Sequence, residues 1–358
     1  MKILFLPNWQ VHSLDTDTEV IQAPDKQVFD KPYWFFKYFN VPCQVDVIDF
    51  QPNNPIRSVE RKCNVYIWQA FKAFWKMRDY DVIISHGAQS GLMLSWLRTI
   101  TMCKKTTHII FDIGSMNGAR QNVIENRVIK WMLGSQPYII CHSKVIIDNY
   151  KTTYRQLVDR TSFIPFGVDV DDFKPQDTAV ESDYVLSFGA AKRDYTTLLS
   201  AWSGINTTAK LRIIGYSHAV TDVDNVETIK KVSISELKYQ IANARFVVIP
   251  LPVFNYSYGQ MSFLQSMAMG KAVIVTNTPS SVDYIVDGVG AILVKPYDAQ
   301  DLRENILKLL HDADLLARVS AQSRTFVLDH FSEKQMAISV EQFILQAIAA
   351  NKGELQQR

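Results

Sequence analysis

The sequence predicts an α/β protein made of two similar domains, each built on a doubly wound parallel sheet. Three observations lead to this prediction. Short apolar runs alternate with stretches of helical periodicity, the pattern of a parallel sheet with crossover helices. The alternation stops at a polar, acidic stretch, residues 176–183, and then restarts. A length of 358 residues also exceeds what one hydrophobic core comfortably serves.

The first domain is assigned to residues 1–176. Its apolar runs are typical of buried parallel strands, and they lie at residues 2–7, 45–50, 81–85, 108–111 and 138–141. Stretches with helical periodicity separate them, at residues 59–78, 90–102 and 123–133.

The second domain is assigned to residues 177–333. Strands are predicted at residues 184–188, 211–214, 246–250, 272–276 and 291–294, and helices at 195–202, 234–243, 261–269 and 299–311. A last helix, near residues 334–351, follows the second sheet, and we expect it to pack back on the first domain. Two Rossmann-like domains facing each other across a cleft are the simplest architecture, with ligands beyond the carboxyl ends of the strands.

Composition excludes several classes of function. A formal net charge of +2 is too small to indicate a nucleic-acid-binding protein. No apolar run approaches the length of about 20 residues that spans a bilayer. The cysteines lie far apart, which favours buried free thiols in a reducing compartment; they are Cys43, Cys63, Cys103 and Cys141. We therefore expect a cytoplasmic protein that could still touch a membrane surface.

Four segments of the second half, taken in order, resemble the retaining glycosyltransferases of family 4, also called group 1. They are residues 164–175 (IPFGVDVDDFKP), 187–199 (SFGAAKRDYTTLL), 257–276 (SYGQMSFLQSMAMGKAVIVT) and 282–302 (VDYIVDGVGAILVKPYDAQDL). The resemblance implies a GT-B fold and transfer of a sugar, with retention, from a UDP- or GDP-linked donor to a hydroxyl acceptor. The family's habits imply a surface polysaccharide or glycolipid as acceptor.

The chemistry of a diphosphate independently supports a donor-binding site in the second half of the chain. Two negative charges require backbone N–H groups at a helix N-terminus and fixed cations. A turn with Gly259 precedes one predicted helix. The basic residues Lys192 and Arg193 follow Gly189, just after a predicted strand. For an isolated basic pair, the alternative interpretation is a solvent-exposed loop that binds no ligand. The predicted donor-binding residues are Gly189, Lys192, Arg193, Ser257, Gly259, Gln260, Met261, Ser262 and Gln265, and Arg193 is also a predicted catalytic residue.

The sequence departs from the family pattern in two places. The family has two glutamates, with seven residues between them, in the donor segment, and this chain has Ser257 and Gln265 there. Gln265 can accept a hydrogen bond from a ribose through its amide oxygen. Residues 8–12 (NWQVH) also replace the family's glycine-rich loop. Alternatives are a catalytically impaired nucleotide-sugar-binding homologue and another GT-B enzyme, such as a sugar-nucleotide epimerase.

Candidates for chemistry in the first half are His86 and Asp112, which each end a predicted strand. In one mechanism for such enzymes, the leaving diphosphate takes the proton of the acceptor, so no protein base is needed. The Asp-x-Asp triplets are too common by chance to indicate a metal, and we expect neither a metal nor any cofactor besides the donor. Asp169 and its neighbours are expected to cap a turn.

Aromatic and basic residues crowd two segments, residues 31–39 (KPYWFFKYF) and 66–78 (YIWQAFKAFWKMR). The default interpretation of the aromatic face Trp68, Phe71, Phe74 and Trp75 is core packing. The alternative is an interfacial patch that meets a lipid-linked acceptor, with the protein peripheral on the inner face of the plasma membrane.

Overall fold

The structure is a computed structural model that describes residues 1–18, 21–114, 116, 123–176, 182–218, 220 and 222–356. The chain forms two compact units. The first comprises Met1–Pro165, Asn255–Ser257 and the C-terminal helix from Met336 onward, and the second comprises Phe166–Phe254 and Tyr258–Gln335. Each unit contains a parallel sheet with helices, so the predicted α/β class is confirmed.

The strands described in the first unit are β1 (Lys2–Leu6), β2 (His12–Leu14), β3 (Lys26–Val28), β4 (Gln44–Val47), β5 (Val82–His86), β6 (Thr107–Asp112), β7 (Tyr138–Cys141) and β8 (Thr161–Phe163). Six of them form one parallel sheet in the order β4-β1-β5-β6-β7-β8, and β2 pairs with β3. The central strands β5 and β6 are buried along their whole length, which explains the apolar runs Val82–Ile84 and Ile109–Phe111 within them.

Five helices of the first unit follow in chain order: α1 (Arg57–Cys63), α2 (Ile67–Lys76), α3 (Ala88–Ile100), α4 (Val123–Met132) and α5 (Lys144–Thr153). The connections from β4 to β5, β5 to β6, β6 to β7 and β7 to β8 all move in the same direction across the sheet. Because such crossovers are right-handed, α2, α3, α4 and α5 lie on one face of the sheet.

The single helix predicted over residues 59–78 is wrong, because the chain breaks between α1 and α2. Asn64 ends α1 in the left-handed conformation with φ 53°, and its N–H bonds to the Glu60 carbonyl. Asparagine tolerates this conformation better than most residues. The buried Glu60 carboxylate then accepts from the Trp68 N–H at 2.8 Å, in the first turn of α2.

The strands of the second unit are β9 (Tyr184–Phe188), β10 (Lys210–Ile214), β11 (Val226–Ile229), β12 (Val247–Ile249), β13 (Val273–Thr276), β14 (Val286–Asp287) and β15 (Gly290–Val294). They form a seven-stranded sheet in the order β11-β10-β9-β12-β13-β15-β14. Its helices are α6 (Tyr195–Trp202), α7 (Ile234–Asn243), α8 (Gln260–Ala268), α9 (Ala299–His311) and α10 (Ala313–His330). The sequence did not predict β11, β14 or α10.

The last helix, α11 (Glu333–Gln356), is the longest described. Its Glu341 carboxylate accepts from the backbone N–H groups of Asn40 and Val41, at 3.1 and 2.6 Å. Asn351 donates to the Lys104 carbonyl at 3.2 Å. These bonds hold the helix within the first unit. In the described part of the chain, no helix is long and apolar enough to cross a membrane.

Candidate active site

Two turns leave the sheet of the second unit at its topological switch point. The chain places β10 and β11 on one side of β9 and then places β12 and β13 on the other. In open α/β sheets, ligands bind beyond the carboxyl ends of the strands at such a point. The turn after β9 carries Gly189 and Arg193, and the segment after β12 leads to Gly259 and α8. The topology therefore brings both predicted motifs to one edge of the sheet.

The Arg193 side chain links these two motifs. Its Nε donates to the Phe188 carbonyl at 3.1 Å, and Nη1 donates to the carbonyls of Ala191 and Lys192 at 3.2 and 3.1 Å. Nη2 donates to Ser262 Oγ at 2.7 Å, in the first turn of α8. A guanidinium carries five N–H groups, so one Nη2 N–H is left without a partner among the described residues. A fixed cation is thus held beside a helix N-terminus.

Gly189 allows this arrangement because it has no side chain. Its φ of 129° lies in the region that disfavours other residues, and a Cβ there would lie 2.6 Å from Arg193 Nε. Burial lowers the pKa of Arg193, and the Tyr195 and Tyr258 phenols act in the opposite direction. An arginine in such a place keeps its charge at neutral pH.

The N-terminus of α8 is the second part of the site. Gly259 occupies the N-cap with φ 82°, and a Cβ there would lie 2.8 Å from Leu251 Cδ2. Glycine supplies no side chain to cap the helix, so the positive end of the helix dipole is left for an anion. Buried Gln260 donates to Ser280 Oγ at 3.2 Å. This bond ties the first turn of α8 to the loop after β13.

The other predicted donor residues have different surroundings. Lys192 is exposed, with φ 55°. Met261 is partly exposed on the first turn of α8, whereas Gln265 is buried one turn further along. Ser257 belongs to the first unit, where its hydroxyl donates to the His142 carbonyl at 3.3 Å. The structure thus places Arg193 with Ser262 and leaves the donor roles of all nine residues as predictions.

Two residues of this region were missed by sequence reasoning. Tyr195 donates from its hydroxyl to the Gly189 carbonyl at 2.7 Å and so holds the turn after β9. Ser280 anchors Gln260. Tyrosine at the start of a helix and serine in a loop carry no distinguishing pattern, so only the folded contacts reveal them. Asp169 does cap a turn as predicted, since its Oδ1 accepts from the N–H groups of Asp171 and Asp172 at 3.1 Å.

Asp112 is fully buried at the end of β6, in the first unit. Its Oδ1 accepts from the Gly114 N–H at 2.8 Å, and its Oδ2 accepts from the Tyr150 hydroxyl at 2.7 Å. Burial, together with this carboxylate, raises the pKa of Tyr150 well above its usual range. Both carboxylate oxygens therefore brace neighbouring segments, and the proposed catalytic role of Asp112 stays a prediction.

His86 lies at the end of β5 inside a cage of aromatic rings. The Trp9 ring is nearest, with centroids 4.7 Å apart, and Phe111 and Trp34 follow at 5.5 and 5.9 Å. Burial, and then the neighbouring His142, lowers the pKa of His86 to about 3. Its Nδ1 has no hydrogen-bond partner among the residues that the structure describes. At neutral pH, this side chain is therefore an uncharged imidazole whose Nδ1 is buried.

The two aromatic segments differ in how far their rings are buried. Within residues 31–39, the rings of Tyr33, Trp34, Phe35 and Phe36 are buried, so this segment offers no exposed aromatic patch. Along α2, by contrast, Ala70 and Ala73 face the core, whereas Phe71 and Trp75 are exposed. Core packing is thus wrong for Phe71 and Trp75, because small side chains occupy the stripe that contacts the sheet.

The residues described contain no group of three or more histidine, cysteine, aspartate or glutamate side chains placed to hold a metal ion. The expected absence of a metal or further cofactor remains a prediction.

Comparisons with known proteins find similarity to glycosyltransferases. Residues 183–312 match the family described as glycosyl transferases group 1. A curated relative from Methanocaldococcus jannaschii, named an uncharacterized glycosyltransferase, is 19% identical over 322 residues, with 79% of each chain covered.

Solved structures resemble the chain along most of its length. Sucrose-phosphate synthase from Thermosynechococcus elongatus aligns with a TM-score of 0.72 and 17% identity, covering 98% of this chain and 99% of that chain. HepE from Anabaena, solved with UDP and with UDP-glucose, aligns with a TM-score of 0.65 and 15% identity, covering 98% and 100%. The chain has the GT-B fold of these solved structures, and its second half resembles the group 1 glycosyl transferases.

Proposed function

We propose that the protein is a retaining glycosyltransferase of family 4 that moves a sugar from a nucleotide-sugar to a hydroxyl acceptor. The observation that carries the proposal is the Arg193 guanidinium, held on Ser262 at the N-terminus of α8. A diphosphate needs both a fixed cation and helix N–H groups, and this edge of the sheet supplies them together. The UDP and UDP-glucose complexes of HepE favour a UDP-sugar as the donor.

The reaction needs charge stabilisation more than a protein base. The bond from the anomeric carbon to the diphosphate oxygen breaks, and a bond to the acceptor oxygen forms on the same face of the sugar. The acceptor proton passes to the departing diphosphate oxygen. Negative charge grows on that oxygen, where Arg193 and the start of α8 stabilise it. Gln265 holds the ribose through a neutral hydrogen bond.

We assign the acceptor to the glycan or lipid-linked glycan class used in surface polysaccharide synthesis. An acceptor of this kind would bring the enzyme to the inner face of the plasma membrane. Neutral His86 and the aromatic rings around it suit a sugar or polyprenyl group rather than a charged one. In this proposal His86 contacts the acceptor, and Asp112 positions the segments beside it.

The proposal is tested with the purified full-length chain, a panel of UDP- and GDP-sugars and product analysis. The Arg193→Ala variant should turn over more slowly, because the activation free energy of transfer should rise by about 2–4 kcal/mol. This is the usual effect of removing one group that stabilises charge in the transition state. Arg193→Lys should recover little, because an ammonium cannot replace donors that bond three carbonyls and Ser262.

Arg303→Ala is the matched control. Arg303 also donates to backbone carbonyls, those of Ala201 and Ser200 at 3.0 Å, and it also lies against a glycine, Gly204. It lies outside the proposed site, so its removal should lower stability without changing turnover. Near-normal turnover in Arg193→Ala would overturn the proposed site. If the intact protein binds the donor but transfers no sugar, a catalytically impaired homologue is favoured. If it converts the donor sugar when no acceptor is present, a sugar-nucleotide epimerase is favoured.

A further inference from the structure

The outer surface of the helical layer in the first unit exposes large apolar side chains on neighbouring helices. Trp75 on α2 is 70% exposed, and Ile124 and Trp131 on α4 are 71% and 56% exposed. Phe71 on α2 and Met102, just beyond α3, are also exposed. Isolated exposed apolar residues are normal in folded proteins, but a cluster of this size marks an interaction site. We call it the α2–α4 face.

The helices that carry these residues are direct neighbours. α3 packs against both α2 and α4, on the same face of the sheet. The Trp96 ring of α3 contacts the Trp131 ring of α4, with centroids 6.3 Å apart. Phe74 of α2, Trp96 and Met132 of α4 also join one core cluster. The exposed side chains of α2 and α4 therefore flank α3 on one continuous surface.

The charges on this surface are mostly positive. Residues 67–79, 100–105 and 123–132 contain seven basic side chains and two acidic ones, although the whole chain carries only +2. Lys76, Arg127 and Lys130 are exposed beside the apolar residues. Tryptophan with lysine is the composition found where a protein meets a lipid headgroup layer. Interfaces between proteins are instead depleted in lysine.

An open groove lies at the edge of this face. Its volume is about 410 Å³, and its lining includes Trp68, Phe71, Trp75 and Lys76. Lys72 crosses it, with Nζ 5.5 Å from the centre of the Trp68 ring and 2.8 Å from Gln51 Oε1. Aromatic walls with cations beside them fit a lipid chain whose headgroup is anionic.

We propose that the α2–α4 face is a docking surface for an anionic lipid bilayer. Trp75, Trp131 and Ile124 enter the headgroup region, and the basic side chains neutralise lipid phosphates. The role of α4 is the new element, since residues 123–132 carry no aromatic crowding that marks them in the sequence. The inference does not depend on the proposed transfer activity, because bilayer binding is measured without donor or acceptor.

The test is co-sedimentation of the full-length protein with vesicles of phosphatidylcholine alone and of phosphatidylcholine with phosphatidylglycerol. Intact protein should bind only the anionic vesicles, and 0.5 M NaCl should weaken binding. One variant changes α2 (Trp75→Ser, Lys76→Glu), and another changes α4 (Trp131→Ser, Lys130→Glu). Each should lower the partition coefficient about tenfold or more, since each removes an anchor and reverses a charge.

A double variant of the second unit is the matched control. Tyr239 and Lys308 are exposed there, and Tyr239→Ser with Lys308→Glu makes the same change in charge. It should bind anionic vesicles like the intact protein. Equal binding by the α4 variant and the intact protein would overturn the proposal, as would intact protein that stays in the supernatant. A dimer seen by light scattering and lost in both variants, without vesicle binding, would identify a self-association surface instead.

Discussion

Replacing His86 with asparagine should make the protein less sensitive to acid. His86 lies among Trp9, Trp34 and Phe111, and burial lowers its pKa from 6.5 to about 3. Between these two values, the unfolded chain binds a proton at this position that the folded chain does not bind. The stabilisation is therefore complete above pH 6.5 and is lost as the pH falls toward 3. Asparagine keeps a polar side chain in the cage but does not titrate.

The expected magnitude follows from this difference in pKa. Lowering the pH from 7 to 5 should reduce the free energy of unfolding by about 2 kcal/mol through His86. Burial also lowers the pKa of His142 to about 4 and that of His108 well below its usual value. Protonation of His142 and His108 should add to this loss, because burial disfavours the charged form of both side chains. The His86→Asn variant should lose the part of the dependence that His86 contributes, about 2 kcal/mol between pH 7 and pH 5.

Urea unfolding at pH 7 and pH 5, followed by tryptophan fluorescence, measures the effect. Any packing that His86→Asn loses is lost at both pH values, so it cancels in the difference. Phe111→Leu is the control, because it weakens the same cage without removing a titrating group. It should be less stable at both pH values with the dependence on pH unchanged. An unchanged dependence in His86→Asn would refute the reasoning that burial keeps this imidazole neutral.

Two further predictions concern the proposed donor site. Gly189→Ala should weaken donor binding and lower stability by about 1–3 kcal/mol, because the new Cβ would meet the Arg193 guanidinium at a strained φ. Calorimetry with UDP-sugars measures the binding. Gly288→Ala is the control, because Gly288 also has a positive φ, 78°, but no atom lies within 4 Å of the new Cβ. This variant should bind the donor like the intact protein. Gln265→Ala should reduce donor affinity by about 1 kcal/mol, and Gln265→Glu should keep or tighten it, since a carboxylate accepts more strongly from ribose hydroxyls. Loss of binding in Gln265→Glu, with the fold intact by circular dichroism, would contradict the ribose role.

Local patterns predicted several elements well. Strand β9 and helices α6, α7 and α9 have the predicted bounds. Their helix starts are marked by side chains that cap the first turn, such as Ser233 and Asp298. β11 was missed because its residues are half-buried and partly polar, so it has no clear apolar run. The break at Asn64 was missed because one left-handed residue inside a helical pattern leaves little trace in composition.

The sequence by itself determined the α/β class, the restart of the pattern in the second half and the motifs around Gly189 and Gly259. These are local features, since periodicity and glycine positions reflect the geometry of single elements. Only the tertiary structure decided that Arg193 bonds to Ser262, that Asp112 holds Tyr150 and that Phe71 and Trp75 face outward. Each depends on which elements become neighbours and on which face of a helix meets the sheet. Contacts between residues far apart in the chain are set by the packing of whole elements, which no short stretch of sequence contains.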